Sequence, residues 1–580
     1  MKKNARGILG LLLIAALISI TGCVSTQLPD SYTVEPEVLE AKGGMVDFKV
    51  AGTIPEKSFH KKAVVEFTPY IKNDSQKKEL KKFTLRGEKT EGEGTVINSK
   101  TGGSFTYTES FEYEDWMQGS ELFVDARIMK GNKVTELNDI KLADGVIITY
   151  RGIVHDEELS WAPSGYEPVT IFSESATIYF RVNVANLEMN LPLNKTEEAK
   201  AGRDKLDEFM MKGWKVKEIN IDAWASPEGE IDFNDNLADD RSVTAEKYMQ
   251  NQVKKINNQR AKELGVEESQ LEQEILYNVK GHGEDWDGFM NAVQKSDLKD
   301  RSTILNVINS QSDVIKREQE IRNMTVIYKE IEDEILPPLR RADITVSCFE
   351  PKRTDEEIAK LATTYPDSLD YKEILHAATL TKDPQVKYNI YKSAFSNPDR
   401  DWKTYNNAAA EAISLGRLDE AENLLNQAAK LSGKNGLIEN NIGVLACHNE
   451  DYVSAEKHFM NAQSLGENEN YNLGVVMIQK GDYQKALNYF KGLKCKHNVA
   501  LAQLLAGQMN DAFNNLNCAP VSPQTYYLMA VYSARSNQPD KVFEYLGKSI
   551  AMDSSMKPKA AIDREFIKYY NEDAFKNLIR

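Results

Sequence analysis

Hydrophobic and polar positions follow three different patterns along this chain. From about Tyr32 to Tyr150 the period is two: in MVDFKVAG, Val46, Phe48 and Val50 share one face while Asp47 and Lys49 take the other. AVVEFTPYI, SFTYTESFEY and ELFVDARIM alternate likewise, with KTGGS and KGNK supplying turn residues. Alternation of this kind predicts half-buried strands, and short strands so spaced predict an antiparallel β-sandwich. From about Pro168 to Glu350 the pattern is mixed. ATIYFRVNVANLEM and WKVKEINIDAWA read as strands, EEAKAGRDKLDEFMMKG and DDRSVTAEKYMQNQVKKI as helices, and LPPLRRADITVSC as a closing strand. This predicts an α/β domain. From about Thr354 onwards only the helical period remains.

In that last region five turn-and-helix starts align: GRLDEA, EDYVSA, GDYQKA, GQMNDA and NQPDKV. Each ends on a small residue (Ala421, Ala455, Ala486, Ala512, Val542), followed four positions later by Leu425, Phe459, Phe490, Leu516 or Leu546. A small side chain lets two helices cross closely and the large one fills the gap above it. Gly443 and Gly474 hold matching places on the preceding helices. The spacing resembles degenerate tetratricopeptide repeats, and AIDREFIKYYNEDAFKNLIR resembles their capping helix. The resemblance implies a concave face that takes a peptide or partner helix. Tyr405, Asn406, Asn440 and Asn472 lie on the first helices and are the candidate groove residues, with Trp402 read as packing between helices. An asparagine amide offers both a donor and an acceptor to an extended backbone.

The central region carries WASPEGEIDFNDNLADDR, Trp224 to Arg241, after a strand. The order of elements here resembles the OmpA C-terminal domain, a peptidoglycan-binding α/β module. Asn234, Leu237 and Arg241 match its N..L...R segment; Gly281, Gly283 and Glu284 match its GxGE; Arg340 and Arg341 match its paired arginines. The spelling ASPEG resembles Bacteroidetes members. The resemblance implies a site for diaminopimelate, whose ammonium goes to the family's aspartate and whose carboxylate goes to its arginine. Here Ser226 stands where that aspartate belongs. Arg241, expected at the start of a helix, can still hold a carboxylate, and Glu228 or Glu230 can replace the lost charge. Asn234 is expected to hold the loop backbone. Altered binding and a remnant site both stay open. Extra charged helical sequence around Asn251–Glu274 and Asp300–Glu334 departs from the family pattern.

The N-terminus adds a location. Lys2, Lys3 and Arg6 precede an apolar run, Gly7 to Ile20, of export-signal length. Ile20-Thr21-Gly22-Cys23 resembles the bacterial lipobox, which implies a cysteine carrying lipid such as palmitate. Val24 and Ser25 follow, without a retention aspartate or a charged surface-export cluster, so an outer-membrane lipoprotein facing the periplasm is expected. The whole resembles a Bacteroidetes outer-membrane lipoprotein of the OmpA family. Its expected parts are a signal peptide over 1–22, a β-sandwich over 23–165, an OmpA-like domain over 166–350 and repeats over 351–580.

Composition narrows the chemistry. At 580 residues a single core is excluded. A net charge of −16 speaks against a nucleic-acid binder. Cys348, Cys447, Cys495 and Cys518 show no CxxC spacing. An oxidised Cys495–Cys518 pair is open to an exported protein, but small buried thiols are the preferred reading. The seven histidines form no HExxH, and neither a P-loop nor GxSxG occurs. Cys495 and His497 lack a second ligand pair nearby, and His282, Glu284 and Asp285 belong to the OmpA-like turn. No catalytic residue, cofactor or metal is therefore expected. Two functions remain. One is a tether that joins the membrane lipid to peptidoglycan and recruits protein partners. The other is an assembly scaffold of a larger outer-membrane or fimbrial machine with a degenerate peptidoglycan site.

Overall fold

The computed structural model describes Thr26, Leu28 and residues 32–580 other than Met324. Cys23 and the signal segment lie outside the described residues. Two compact units result: residues up to Ser164 pack with Leu361–Arg580, and Gly165–Lys360 form the other.

The first unit begins with a sheet-rich region of ten strands: β1 (Tyr32–Glu35), β2 (Val38–Lys42), β3 (Met45–Ile54), β4 (Val64–Lys72), β5 (Lys77–Glu79), β6 (Phe83–Gly87), β7 (Thr95–Ile97), β8 (Gly103–Glu112), β9 (Glu121–Lys130) and β10 (Lys133–Ile147). β3 pairs with β1 and β8, while β10, β9, β4, β6 and β7 follow one another, and β2 pairs with both β3 and β10. The alternating residues point as expected: Ile54, Val65, Phe67, Leu85, Phe105, Val124 and Ala126 share one core. Two pairs, β2 with β10 and β6 with β7, are parallel and break the expected antiparallel rule. Alternation dictates which face is buried, but strand partners follow from the path of the chain.

The second unit holds β11 (Ile171–Tyr179), α1 (Glu197–Met211), β12 (Lys215–Ala225), α2 (Ile231–Leu264), β13 (Tyr277–Glu284), α3 (Trp286–Lys295), α4 (Arg301–Ser310), α5 (Val314–Asn323), α6 (Thr325–Glu330) and β14 (Arg341–Phe349). Its sheet runs β11–β14–β12–β13, with β12 and β13 parallel and the other neighbours antiparallel. Leu206, Phe209 and Met210 of α1 and Ala245, Met249 and Ile256 of α2 cover a sheet face made by Ile178, Ile219, Ile221, Ile344 and Val346. Thr196 caps α1 by accepting from the Ala199 amide. The polar loop expected from Ser226 to Arg241 is shorter than that, because α2 already begins at Ile231. Asn234, Leu237, Ala238, Arg241 and Ser242, all buried, recur at helical spacing on one face of it. The first stretch of extra sequence mostly prolongs α2 to 34 residues, ended by Gly265 in the left-handed conformation. In the second, Ile304, Ile308 and Ile331 join Phe289 and Val293 of α3 and the following Ile335 in a separate apolar cluster.

α7 (Asp355–Thr364) crosses the boundary between the units, and the first unit continues with α8 (Tyr371–Ala377) and α9 (Pro384–Ser393). Five helix pairs follow: α10 (Trp402–Ser414) with α11 (Leu418–Ser432), α12 (Gly436–His448) with α13 (Tyr452–Ser464), α14 (Asn470–Gln479) with α15 (Tyr483–Tyr489), α16 (His497–Leu505) with α17 (Met509–Cys518), and α18 (Pro523–Arg535) with α19 (Pro539–Met552). α20 (Met556–Ile562) and α21 (Asp573–Ile579) close the array. The close crossings have the expected cause. A Cβ built on Gly443 would stand 2.6 Å from the Phe459 ring, and one on Gly474 would stand 2.3 Å from the Phe490 ring. The cysteines correct the sequence reading: Cys495 and Cys518 are joined, while Cys348 and Cys447 are buried thiols. A helical hairpin returns the end of α17 to Cys495, two residues before α16, so the two Cα atoms stand 4.8 Å apart. Arg535 joins sheet and array, binding Glu40 at 2.8 Å and Glu565 through its Nε at 3.0 Å.

Candidate functional site

The residues named for peptidoglycan converge in the second unit, where each has a partner in the chain. Arg241 sits ten residues inside α2, not at its start, and is only 1 % exposed. Its Nε donates to the Val184 carbonyl at 3.2 Å, one terminal nitrogen to Trp224 at 2.9 Å and the other to Arg181 at 2.8 Å. The guanidinium lies over the Phe180 ring, 5.4 Å from its centre. Burial, helped by the nearby Arg340 charge, lowers its pKa to about 10. Ser226 donates to Glu228 at 2.6 Å and accepts from Arg340 Nε at 3.2 Å. Glu228 pairs with Arg340 at 2.7 Å. Asn234 donates to Glu284 at 2.8 Å, as does Trp286, and burial raises the Glu284 carboxyl above its ordinary range. Arg341 pairs with Asp285 and Asp343. From the second insertion, Glu318 of α5 accepts the Gly229 amide and pairs with Arg322. The turn at Ser226–Glu230 is therefore covered by an inserted helix and braced by Arg340.

The repeat groove is filled as well, by this chain. Residues 152–163 have no regular secondary structure and run along the first helices as an extended strap. Four asparagines each grip one strap residue twice, accepting its amide and donating to its carbonyl: Asn407 on Ala162, Asn441 on Ser160, Asn472 on Glu158 and Asn498 on Val154. All eight bonds measure 2.7–2.9 Å. Three of these clamps catch alternate residues, the spacing of an extended chain. Between Val154 and Glu158 the strap turns, with the Asp156 amide donating to the Val154 carbonyl at 3.0 Å. Asn406 and Asn440 form a second row. They donate to the Ser160 and Glu158 carbonyls and accept from Asn441 and Asn472. Every one of these amides is buried, and a buried amide without partners is costly.

Side chains add to the seat. Trp161 donates to the buried Glu411 at 3.0 Å, Lys496 binds Glu158 at 2.8 Å, and Tyr471 donates to Asp156. At the far end His497 contacts the Gly152 carbonyl at 2.8 Å and Gln479 donates to Tyr150 at 2.8 Å. Asn406, Asn440 and Asn472 are thus brought together in one groove. Tyr405 instead stacks on Phe395 with ring centres 4.9 Å apart. Sequence reading missed Asn407, Asn441 and Asn498, which carry three of the four double clamps. The available signal was the Asn-Asn doublet at 406–407 repeated at 440–441. Neighbouring helix positions differ in direction by about 100°, so the second member of each doublet faces the strap most directly.

No protein-family model matches the chain, and no curated protein matches it. Solved structures similar to it include a tetratricopeptide repeat protein from Parabacteroides merdae, 16% identical, covering 39% of this chain and 89% of that one, with a TM-score of 0.29. PilW, a type IV pilus biogenesis factor, is 14% identical over 40% of this chain and 100% of its own, with a TM-score of 0.27. PilF of Pseudomonas aeruginosa is 15% identical over 37% and 96%, with a TM-score of 0.26.

Proposed function

We propose that this protein is a non-enzymatic scaffold of the bacterial cell envelope. It is held in the outer membrane by lipid on Cys23, faces the periplasm, and docks an extended protein segment in its repeat groove within a larger outer-membrane or fimbrial machine. The groove carries this reading. Its asparagines grip backbone amides and carbonyls, which every extended segment offers, so the strap occupies a seat that another chain can take. The lipobox resemblance supports the location. A direct test replaces residues 153–162 by a glycine-serine linker and titrates in a labelled synthetic peptide of residues 152–163. Binding with a Kd of about 1 μM is expected, and binding to the unaltered chain should be weaker by roughly a thousandfold, because a tethered strap competes at millimolar effective concentration. A folded linker variant that ignores the peptide would defeat the docking reading.

A tether to peptidoglycan is the second reading. Beyond the OmpA-like resemblance it is favoured by one observation: among the described residues, Arg241 is a buried cation with no ion pair. Against it stand the three carbonyls and the covered turn. Incubation with purified sacculi separates the two. Retention that free diaminopimelate-containing stem peptide competes away, and that Arg241→Lys abolishes while the variant keeps the melting temperature of the unaltered chain, would establish the tether. The scaffold reading expects neither.

A further inference from the structure

Where the strap turns, His155, Glu157 and His448 meet. One ligand atom from each, an imidazole nitrogen or a carboxylate oxygen, lies within 4.8 Å of the other two. The His155 Nδ1 is 3.2 Å from Glu157 Oε1, and the two imidazole rings stack with centres 4.7 Å apart. The Glu157 side chain is 0% exposed, and its second oxygen, Oε2, has no hydrogen-bond partner among the described residues. A buried carboxylate with an orphaned oxygen is a rare and expensive arrangement. Among the described residues its one hydrogen-bonding contact is the His155 imidazole on the same strap, and the next imidazole, His448, comes from the end of α12.

The donor set indicates which cation. Calcium and magnesium take oxygen ligands, whereas two imidazoles and a carboxylate suit zinc and its transition-metal neighbours. Zinc ligands at about 2.0–2.1 Å in a tetrahedron stand about 3.4 Å apart. Drawing the cluster in from 4.8 Å asks for roughly an ångström of movement. The exposed His155, on a segment without regular structure, has that freedom. Three protein ligands leave the fourth position to water.

We propose that His155, Glu157 and His448 bind one divalent transition-metal ion of the zinc class, and that this ion staples the strap to the repeat array. The site joins residues nearly three hundred positions apart, so no sequence spacing announces it. The proposal stands on the strap's seat and not on which partner the groove recruits.

The test uses the full untagged chain stripped with EDTA. Calorimetric titration with zinc chloride should show one tight equivalent, and cobalt(II) should give the visible bands of a tetrahedral site. His448→Ala, His155→Ala and Glu157→Gln should each weaken that equivalent by roughly a hundredfold. Should His448→Ala lower the metal-free melting temperature, His448→Asn carries the comparison. Zinc should also slow amide hydrogen exchange over residues 153–162 in the unaltered chain and in none of the variants. Absence of a micromolar equivalent, or equal binding by all three variants, would overturn the site. Zinc binding that leaves strap exchange unchanged would overturn the staple.

Discussion

Arg241 and the groove asparagines do the same thing with opposite consequences. Both donate to carbonyls of their own chain from a buried position. Arg241 is charged, and a buried charge is tolerated only while its coordination is complete. Its three acceptors come from Arg181, Val184 and Trp224, so releasing it means disrupting β12 and the segment after β11 at once. The asparagines are neutral, and their acceptors lie on a single segment that can leave as one piece. Water can replace that segment bond for bond. A polar cluster of the first kind holds a fold together; one of the second kind is built for exchange.

The largest expected effect comes from breaking the first cluster. Arg241→Ala removes three hydrogen bonds and the largest fully buried side chain of the described residues, and we expect a loss of about 3–5 kcal/mol from the second unit. Urea unfolding followed by hydrogen exchange should show this over residues 165–360 while the repeat helices' transition stays put. A variant of normal stability with weaker sacculus binding would instead make Arg241 a ligand residue.

Asn441→Ala removes both bonds to Ser160 and the link to Asn406. A loss of about 2–3 kcal/mol is expected, smaller because strap groups reach water. Hydrogen exchange should rise over the strap well before the helices open, and uniform loosening of the array would contradict an exchangeable strap.

Ser226→Asp tests the position where the OmpA-like resemblance implies an aspartate. Ser226 Oγ lies 2.6 Å from a Glu228 oxygen, so a new carboxylate meets a like charge and competes for Arg340. We expect a loss of about 1–2 kcal/mol. Raised thermal stability would show that the missing aspartate is what this loop lacks.

The smallest effect should be the pH dependence at the groove's edge. Burial, opposed by Asn472 and reinforced by Glu467 and Glu158, pushes the Glu469 carboxyl up to about 7. A carboxyl raised in the folded state gives stability that is full below its unfolded value and lost as pH rises through 7. Glu469→Gln should therefore melt higher than the unaltered chain at pH 8, with the difference closing below pH 5. An unchanging difference across that range would mean the carboxylate is already charged in the fold.

The local patterns carried much of this molecule. Period two marked the strands of the sheet-rich region, because alternate side chains face one core. Helical period and small residues marked the repeats, because Phe459 and Phe490 need Gly443 and Gly474 beneath them. The span of α2 was legible too, in the spacing of Asn234, Leu237 and Arg241, although turn-like composition disguised it as a loop. Other features depended on where distant segments meet. Which carbonyls receive Arg241, which segment the asparagines hold, which cysteines join and which strands run parallel are all decided by the path of the chain. An asparagine on a helix face has the same sequence signature whether a partner, water or its own linker fills its hydrogen bonds. Strap and groove lie some 245 to 344 residues apart, and only the folded chain brings them to 2.7–2.9 Å.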